Sequence, residues 1–352
     1  MRSPMVFGLL LLAFGLLPAW AQKQPSLTLL QALQQAYTNG PTVQSAHANL
    51  QNATLQLQAL EADPSTLIVA LTQARQSAEL ARVNLEAAHL QVMKDVLDAY
   101  LGLYEARQNV ELLQAQVALN ERNLNVAKAR QAAGNATALE VARAQTTLNS
   151  SRQSLTNAQA QLPVLAAQLA TLLGVSDLGN VALDPPPPAP ALQADLAALS
   201  KDLFSRLPNV VQAQQAVDLA QLNVKLADND YTPAVNLQSA KTSLENNQRA
   251  LQTARQNAQT SLVNAYQSAQ NAFKGIALAQ ANVANAQKVV DQDQAALKAG
   301  TISAVQLQTD QVSLKSAQYS LIQAQDGYWK ALAAFSVAAG QDFTGLVQAA
   351  TP

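Results

Sequence analysis

Residues 124–140, LNVAKARQAAGNATALE, decide the fold of this chain. They predict the end of one helix, a tight turn at Gly134 and the start of a second helix at Thr137. Glycine closes helices in the left-handed conformation, and a Thr-x-x-Glu pattern forms the capping box that begins the next helix. Residues 290–306, VDQDQAALKAGTISAVQ, repeat the arrangement with a glycine and a Ser-x-x-Gln pattern in the same places. The sequence therefore predicts two helical hairpins.

The hairpins belong to a duplication that covers most of the chain. Residues of the first half recur 166 positions later without a gap. The matching pairs are Tyr100 and Tyr266, Gly134 and Gly300, Leu148 and Leu314, Leu155 and Leu321, and Gly174 and Gly340. Farther upstream, Pro41 matches Pro208 at an offset of 167, and Pro64 matches Pro233 at an offset of 169. A repeated unit of this length predicts a large symmetric assembly of helices rather than an enzyme pocket.

Each repeat is predicted to hold a short helix, a break, a very long helix, the turn and a return helix. The long helix of the first repeat runs from about Leu67 to Ala132 and carries a seam at alternating spacings of three and four. The seam residues are Leu103, Ala106, Val110, Leu113, Val117, Asn120, Leu124 and Ala127. This spacing is typical of a coiled coil. Asn120 either fixes the register or marks a solvent-facing gap. The predicted class is all-α: two tandem repeats of long antiparallel coiled-coil hairpins, with little or no β structure.

The chain divides into five predicted segments. Residues 1–21 are an export signal, because Arg2 precedes the apolar run Met5–Leu17 and Ala19-Trp20-Ala21 is a small-x-small cleavage site. The other segments are the first repeat at 22–174, an inter-repeat linker at 175–197, the second repeat at 198–340 and a loose tail at 341–352. The linker contains Asp184-Pro185-Pro186-Pro187-Pro188-Ala189-Pro190. A stiff spacer is favoured there over a ligand for a proline-binding domain.

The composition excludes several classes of function. The net charge is −1, which argues against nucleic acid as a partner, and the absence of cysteine excludes disulfides and a lipid-modified thiol. Only 13% of residues are charged, which suggests helices with neighbours on more than one side. The two histidines, His47 and His89, are predicted on separate helices without an acidic cluster. We therefore expect no catalytic site, no cofactor and no metal site, and the chain is not expected to be an enzyme.

The order of these features resembles the TolC-like outer-membrane efflux proteins. The resemblance covers about residues 26–340 and includes Asn39-Gly40-Pro41 and Leu207-Pro208-Asn209 at the repeat starts. It implies a homo-oligomer, a trimer, whose helices form a periplasmic tube (an α-barrel). It also implies a periplasmic adaptor protein and an inner-membrane pump as partners. The chain is then exported across the inner membrane to the periplasm or the outer membrane.

One departure from the family concerns the membrane strands. Family members carry a strand pair between the short helix and the long helix of each repeat. Here the gaps offer only Ser65–Leu71 and Tyr231–Leu237 before helical pattern resumes. A membrane strand needs roughly 9–11 residues, so neither gap holds a pair of strands. We expect the membrane β-barrel to be absent from this chain.

The resemblance assigns two kinds of site. The turns that would dock the adaptor consist of Gly134, Asn135, Ala136, Thr137, Gly300, Thr301, Ile302 and Ser303. The residues that would line a constriction of the pore are Glu140, Gln306, Thr309 and Asp310. Glu140 also has the alternative role of capping-box partner. The function implied is an efflux or export conduit, and the alternative is a coiled-coil scaffold or spacer of the cell envelope that transports nothing.

Overall fold

A computed structural model describes residues 26–179 and 181–350. The predicted export signal at 1–21 lies outside the described residues. The first repeat contains α1 (Leu29–Asn39), α2 (Pro41–Ala62), α3 (Ile68–Ala132) and α4 (Ala138–Leu173). The second contains α5 (Leu196–Arg206), α6 (Pro208–Ala227), α7 (Ala234–Lys298) and α8 (Ala304–Ala339), and α9 (Leu346–Ala350) follows. The strands β1 (Ser26–Leu27) and β2 (Ala182–Leu183) pair in parallel.

The all-α prediction is confirmed, and so is the duplication. The long helices α3 and α7 have 65 residues each, and the return helices α4 and α8 have 36 residues each. Each repeat begins with one more short helix than the sequence predicted. The short helices α1 and α5 precede the prolines Pro41 and Pro208, which begin α2 and α6 because proline fits the first turn of a helix.

The heptad seam packs α3 against α4 as expected. Leu103, Val110 and Leu124 are buried, and the other apolar seam residues are at least half-buried. Asn120 is buried as well, and its side-chain amide donates a hydrogen bond of 2.6 Å to Ser151 Oγ in α4. The structure therefore favours the register-fixing role of Asn120 over the solvent-facing gap.

Short turns join the short and long helices of each repeat. Residues 63–67 connect α2 to α3, and residues 228–233 connect α6 to α7. The segments 63–71 and 228–237 are turn followed by helix, as the short gaps in the sequence predicted. Across the described part of the chain, the apolar stretches of the helices are too short or too weak to pass through a lipid bilayer.

The two repeats are joined mainly through α3 and α8. Each repeat has its own hydrophobic cluster, and α8 contributes to both, through Trp329 in one and Tyr328 in the other. Farther along α3, Gln76 and Gln215 of α6 each donate a side-chain hydrogen bond to the other's carbonyl, at 3.0 and 2.9 Å. The second repeat therefore packs on α3 through two of its helices, α8 and α6.

The proline-rich linker is extended, as predicted, and it is also fastened to both repeats. We call residues 184–190 the strap. Tyr100 in α3 donates its hydroxyl to the carbonyl of Asp184 at 2.7 Å. On α8, Trp329 Nε1 donates to the Pro187 carbonyl at 2.9 Å, and the Tyr328 hydroxyl donates to the Pro190 carbonyl at 2.7 Å. The strap is therefore more than a spacer, because it packs where α3 of the first repeat meets α8 of the second.

The expectation of a loose tail is wrong for residues 341–350. The Asp342 carboxylate accepts hydrogen bonds from the backbone amides of Thr344, Gly345 and Val347, at 2.8, 3.1 and 2.9 Å. These bonds begin α9, whose Leu346 and Ala350 are buried in the cluster of the first repeat. Sequence pattern missed this segment because its five-residue helix is too short to show a period.

Candidate docking tips and constriction residues

The first candidate tip joins α3 to α4 and is built as a tight helical C-cap. Gly134 has a φ of 75°, a conformation that costs a side-chain-bearing residue about 1–2 kcal/mol. Its amide donates to the Gln131 carbonyl at 2.9 Å, and the Asn135 amide donates to the Arg130 carbonyl at 2.7 Å. All tip residues are exposed except Ala136, which is half-buried. The first tip therefore presents a short, rigid polar surface.

The capping box of α4 is complete. The Glu140 amide donates to Thr137 Oγ1 at 3.2 Å, and the Thr137 amide donates to Glu140 Oε2 at 2.6 Å. Hydrogen bonds from the Thr137 amide and from the Thr137 hydroxyl lower the pKa of Glu140, because hydrogen bonds to a carboxylate favour its charged form. Glu140 is exposed, and its Oε2 accepts both hydrogen bonds of the cap within one chain.

The second tip, between α7 and α8, repeats the backbone of the first. Gly300 has a φ of 73°, and the Thr301 amide donates to the Ala296 carbonyl at 2.9 Å. The Ser303 hydroxyl accepts from the Gln306 amide at 3.1 Å and so caps α8. Ile302 is half-buried, whereas Thr301 and Ser303 are exposed. This tip is therefore more apolar than the first.

Gln306 does not complete a second capping box, so this part of the prediction is wrong. Its side-chain amide instead donates to Asp310 Oδ2 at 2.8 Å, one turn farther along α8. An amide can donate to a carboxylate, which Glu140 cannot do, and the longer-range partner therefore draws Gln306 away from the cap. The remaining candidate, Thr309, donates its hydroxyl to the Val305 carbonyl of its own helix at 2.9 Å.

Asp310 has a neighbour that sequence reasoning missed. Hydrogen bonding with the Asp310 carboxyl raises the pKa of Asp293 in α7, and burial and charge repulsion add to the effect. The two acids lie on facing helices at similar distances from Gly300, a relation that hairpin geometry implies and that could have identified Asp293. Within the described residues, no hydrogen bond or ion pair links Glu140 to Asp310, so one chain does not assemble the four constriction candidates.

The α3–α8 contact contains a charged cluster that the sequence did not reveal. Lys330 Nζ and Glu105 Oε1 form an ion pair of 2.7 Å. Beside it, Asp326 is 0% exposed, and neither of its carboxylate oxygens has a hydrogen-bond partner among the described residues. Burial raises the pKa of Asp326 to about 7, and repulsion by Glu105 adds to this while Lys330 opposes it. Asp326 is therefore poised to hold a proton near neutral pH.

The fold and the two tips define a protein built from tandem helical hairpins. Residues 21–175, which include the first repeat, match the family model described as outer membrane efflux protein. The predicted resemblance to the TolC-like outer-membrane efflux proteins is thereby confirmed for this part of the chain. The proteins that this family model describes are efflux proteins and not enzymes, in agreement with the expectation that the chain is not an enzyme.

One curated relative matches part of the chain. It is the pyoverdine export outer membrane protein OpmQ of Pseudomonas aeruginosa, which is 27% identical over 158 residues. The match covers 45% of this chain and 33% of the relative, so the chain spans about a third of the relative's length in this alignment.

Solved structures share the fold across nearly the whole chain. The outer membrane protein VceC of Vibrio cholerae has a TM-score of 0.67 at 16% identity, covering 90% of this chain and 96% of its own. The CmeC outer membrane channel of Campylobacter jejuni has a TM-score of 0.66 at 13% identity, covering 89% of this chain and 85% of its own. The MtrE outer membrane channel of Neisseria gonorrhoeae has a TM-score of 0.65 at 16% identity, with 89% of each chain covered. These likenesses confirm the predicted architecture.

Proposed function

We propose that this chain forms the periplasmic α-helical conduit of an efflux or export system in the cell envelope. Three copies enclose the conduit, their tips dock on a periplasmic adaptor protein, and the adaptor connects them to an inner-membrane pump. The proposal places the protein in the periplasm or at the outer membrane, where its relatives are named as export proteins and channels.

A single observation carries the proposal: the contact that joins the two repeats has an unused equivalent. Within one chain, α3 packs on α8. The 166-residue offset makes α7 the equivalent of α3, and α4 the equivalent of α8. Yet α4 packs chiefly on α3 and α1, and α7 on α8, α6 and α5, so their outer faces have no partner of this kind in the described chain. A second copy supplies that partner, and repeated addition closes a ring.

The exposed apolar residues lie where this contact would bury them. In the α3–α8 contact, Leu112 lies beside Tyr319 and Ile322. Its equivalent on α7, Leu278, is 68% exposed, and Val164, which is equivalent to Lys330, is 58% exposed. Burying a leucine or valine side chain contributes about 1.5–3 kcal/mol, so each such contact repeated around a ring adds substantially to assembly.

The number three is the number of copies that the resemblance implies, and two repeats per chain fit it. Three chains supply six helical hairpins, and six equivalent hairpins alternate between contacts within a chain and contacts between chains. Long helices with few charged residues and many alanines need neighbours on several sides, which a closed tube supplies.

The tips support docking because they are rigid and exposed. Both place a glycine at positive φ between capped helices, which leaves Asn135 and Thr301 projecting at equivalent positions. In the proposed trimer, the tips form a ring of six turns. The constriction is formed near them by Glu140 from one repeat and by Gln306, Thr309 and Asp310 from the other.

Electron microscopy of the purified oligomer tests the conduit directly. We expect a trimer of tube shape with an open lumen along its axis. A compact bundle without a lumen would contradict the conduit and support the envelope scaffold. A monomer at micromolar concentration would contradict both the closed tube and the α7–α4 contact.

Docking is tested by placing charge on the tips. Asn135→Glu with Thr301→Glu should leave helical content and the oligomer unchanged, because exposed positions usually change stability by within about 0.5 kcal/mol. Binding of the cognate adaptor should fall, since an unpaired charge buried at an interface is costly. Asn123→Glu with Asn285→Glu, on exposed sites within α3 and α7, adds the same two charges away from the tips and is the matched control. Unchanged adaptor binding in the tip variant would show that the tips are only turns.

A further inference from the structure

The fold brings the two histidines of the chain together. His47 in α2 and His89 in α3 are 42 residues apart in sequence, and their ring centroids are 6.0 Å apart with an interplanar angle of 62°. His47 is exposed and His89 is half-buried. The pair therefore bridges two helices at a place that solvent reaches.

His89 is held in place from its other side. The ring of Tyr37, in α1, lies edge-on to the His89 ring with centroids 5.3 Å apart. The Tyr37 hydroxyl also donates a hydrogen bond of 3.0 Å to the His89 carbonyl. The His89 ring lies between the rings of Tyr37 and His47, which limits its freedom to rotate. A ring that is already oriented loses less entropy when it binds a ligand.

The spacing of the rings suits a shared metal ion. Imidazole nitrogens bind zinc at about 2.0–2.1 Å, which puts each ring centroid about 3.2 Å from the metal. Two such rings at a tetrahedral angle have centroids about 5.2 Å apart. The observed 6.0 Å is within reach of that value by a small rotation of the exposed His47 side chain.

We propose that His47 and His89 bind one divalent transition-metal ion, Zn²⁺, Ni²⁺ or Cu²⁺, between α2 and α3. Imidazole suits these ions, and affinity at nitrogen sites rises toward copper in the first-row series. The residues 26–179 and 181–350 contain no group of three or more His, Cys, Asp or Glu placed to hold a metal, so water fills the remaining positions. The site is thus an open one with two protein ligands.

Burial lowers the pKa of His89, repulsion by His47 lowers it further, and Glu86 opposes both. The charged groups nearby are Glu86 and its partner Arg82, which are joined by an ion pair of 2.6 Å.

The second repeat supplies a matched reference at the same place. The residues equivalent to Tyr37, His47 and His89 are Phe204, Gln214 and Arg255. There, Arg255 Nη2 donates to Gln214 Oε1 at 2.9 Å, and the guanidinium lies 5.3 Å from the Phe204 ring centroid. A pair of side chains thus bridges α2 and α3 in the first repeat and α6 and α7 in the second. Only the pair in the first repeat consists of metal ligands.

The experiment is a titration of the untagged full chain with Ni²⁺ and Cu²⁺, followed by calorimetry and, for Cu²⁺, by electron paramagnetic resonance. We expect one ion per chain and hyperfine structure from nitrogen ligands. His47→Gln alone and His89→Gln alone should each weaken binding at least about tenfold, because each removes one of only two protein ligands. The double variant should bind more weakly than either single variant, because no imidazole is left to hold the ion.

The reference variant is H47Q/H89R, which copies the Gln214–Arg255 pair into the first repeat and should fold normally by circular dichroism. If wild type binds no tighter than H47Q/H89R, the proposal is wrong. It is also wrong if each single variant keeps half of the bound metal at unchanged affinity, because the histidines would then act independently. One ion per three chains would contradict a site within a single chain.

A gain of binding gives a second test that does not depend on losing a residue. Gln214→His with Arg255→His places two imidazoles at the equivalent positions of the second repeat. Two ions per chain are expected for this variant. Stoichiometry that stays at one would show that the spacing of the two helices does not by itself create the site, and would overturn the geometric argument.

Discussion

The α3–α8 contact and the outer faces of α7 and α4 hold equivalent places in the two repeats, but their chemistry differs. The first contains Glu105, Asp326 and Lys330. The equivalent residues on the outer faces are Asn271, Ala160 and Val164. The contact within a chain is therefore charged and partly buried, whereas the contact proposed between chains is neutral and apolar.

The difference shows how a duplicated fold separates two interfaces that have the same geometry. The charged face of α3 would pack poorly on the neutral face of α4. The Glu105 carboxylate would then be buried without its partner Lys330, which has Val164 as its equivalent on α4. In the proposed trimer, each α3 therefore selects the α8 of its own chain, and each α7 selects the α4 of another chain. Charge gives pairing specificity, and the apolar faces supply the free energy of assembly.

The largest expected effect comes from placing charge on the neutral faces. Leu278→Asp together with Val164→Asp should abolish the trimer, because each buries an unpaired carboxylate at every contact between chains. Analytical ultracentrifugation should show monomers with unchanged helical content. Leu67→Asp, at a residue 75% exposed in the α2–α3 turn, is the control and should remain trimeric. A trimer that survives the double substitution would mean that another surface holds the chains together.

The second effect comes from removing the cation of the charged contact. Lys330→Val, which copies Val164, leaves Glu105 and Asp326 facing each other without a counterion. Since the pair is only partly buried, with side chains 35% and 20% exposed, we expect a loss of about 1–3 kcal/mol in urea unfolding. Adding Glu105→Asn, the residue at Asn271, should recover part of that loss. No recovery in the double variant would show that the two residues do not interact energetically.

The third prediction concerns pH. The pKa of Asp326 is about 7 in the fold and about 3.9 in an unfolded chain, so the folded state holds a proton that the unfolded state releases. The stability due to this group is fully present below about pH 4 and is lost as pH rises through 7. Asp326→Ala, which copies Ala160, should therefore stabilise the protein at pH 8 by on the order of 2 kcal/mol after allowance for solvent screening.

Thermal unfolding from pH 4 to pH 8 measures this difference. The gain from Asp326→Ala should shrink as the pH falls, because the protonated carboxyl is no longer a buried charge. Asp202→Ala, at an exposed position in α5, is the control and should show no comparable pH dependence. A constant gain at all pH values would mean that packing, and not charge, separates the variants.

The smallest effect distinguishes the two tips. Thr137 takes part in a complete capping box, whereas Ser303 accepts a single hydrogen bond. Thr137→Ala should cost about 1 kcal/mol and Ser303→Ala roughly half as much. Chemical denaturation of the two variants checks the order. Equal losses would show that the hydrogen bond from the Thr137 hydroxyl to the Glu140 carboxylate adds nothing to stability.

The backbone was more predictable from the sequence than the contacts. Gly134 and Gly300 needed the left-handed conformation, and the seam around Val110 needed a partner helix, so local rules sufficed for the hairpins. The tail was not predictable, because α9 forms only where Asp342 caps it and the first repeat buries Leu346.

The candidate sites were predictable only in part. Thr137 and Glu140 follow from a four-residue pattern, and the structure confirms their cap. The neighbours of Asp310, Asp326 and His89 lie on other helices. They are too far away in the sequence for a helical repeat pattern to predict these contacts. Gln306 had two possible partners within one turn, and only the rotamer decides between Ser303 and Asp310.

The strap has a consequence for the size of the proposed tube. Its prolines have a fixed φ and extend stiffly, and its carbonyls are bonded to Tyr100 on one repeat and to Tyr328 and Trp329 on the other. The strap therefore restrains the angle between the hairpin of the first repeat and the hairpin of the second. In a closed ring that angle is the curvature of the wall, and the curvature determines the diameter of the bore. A segment that touches no cargo would thus set the largest molecule able to pass.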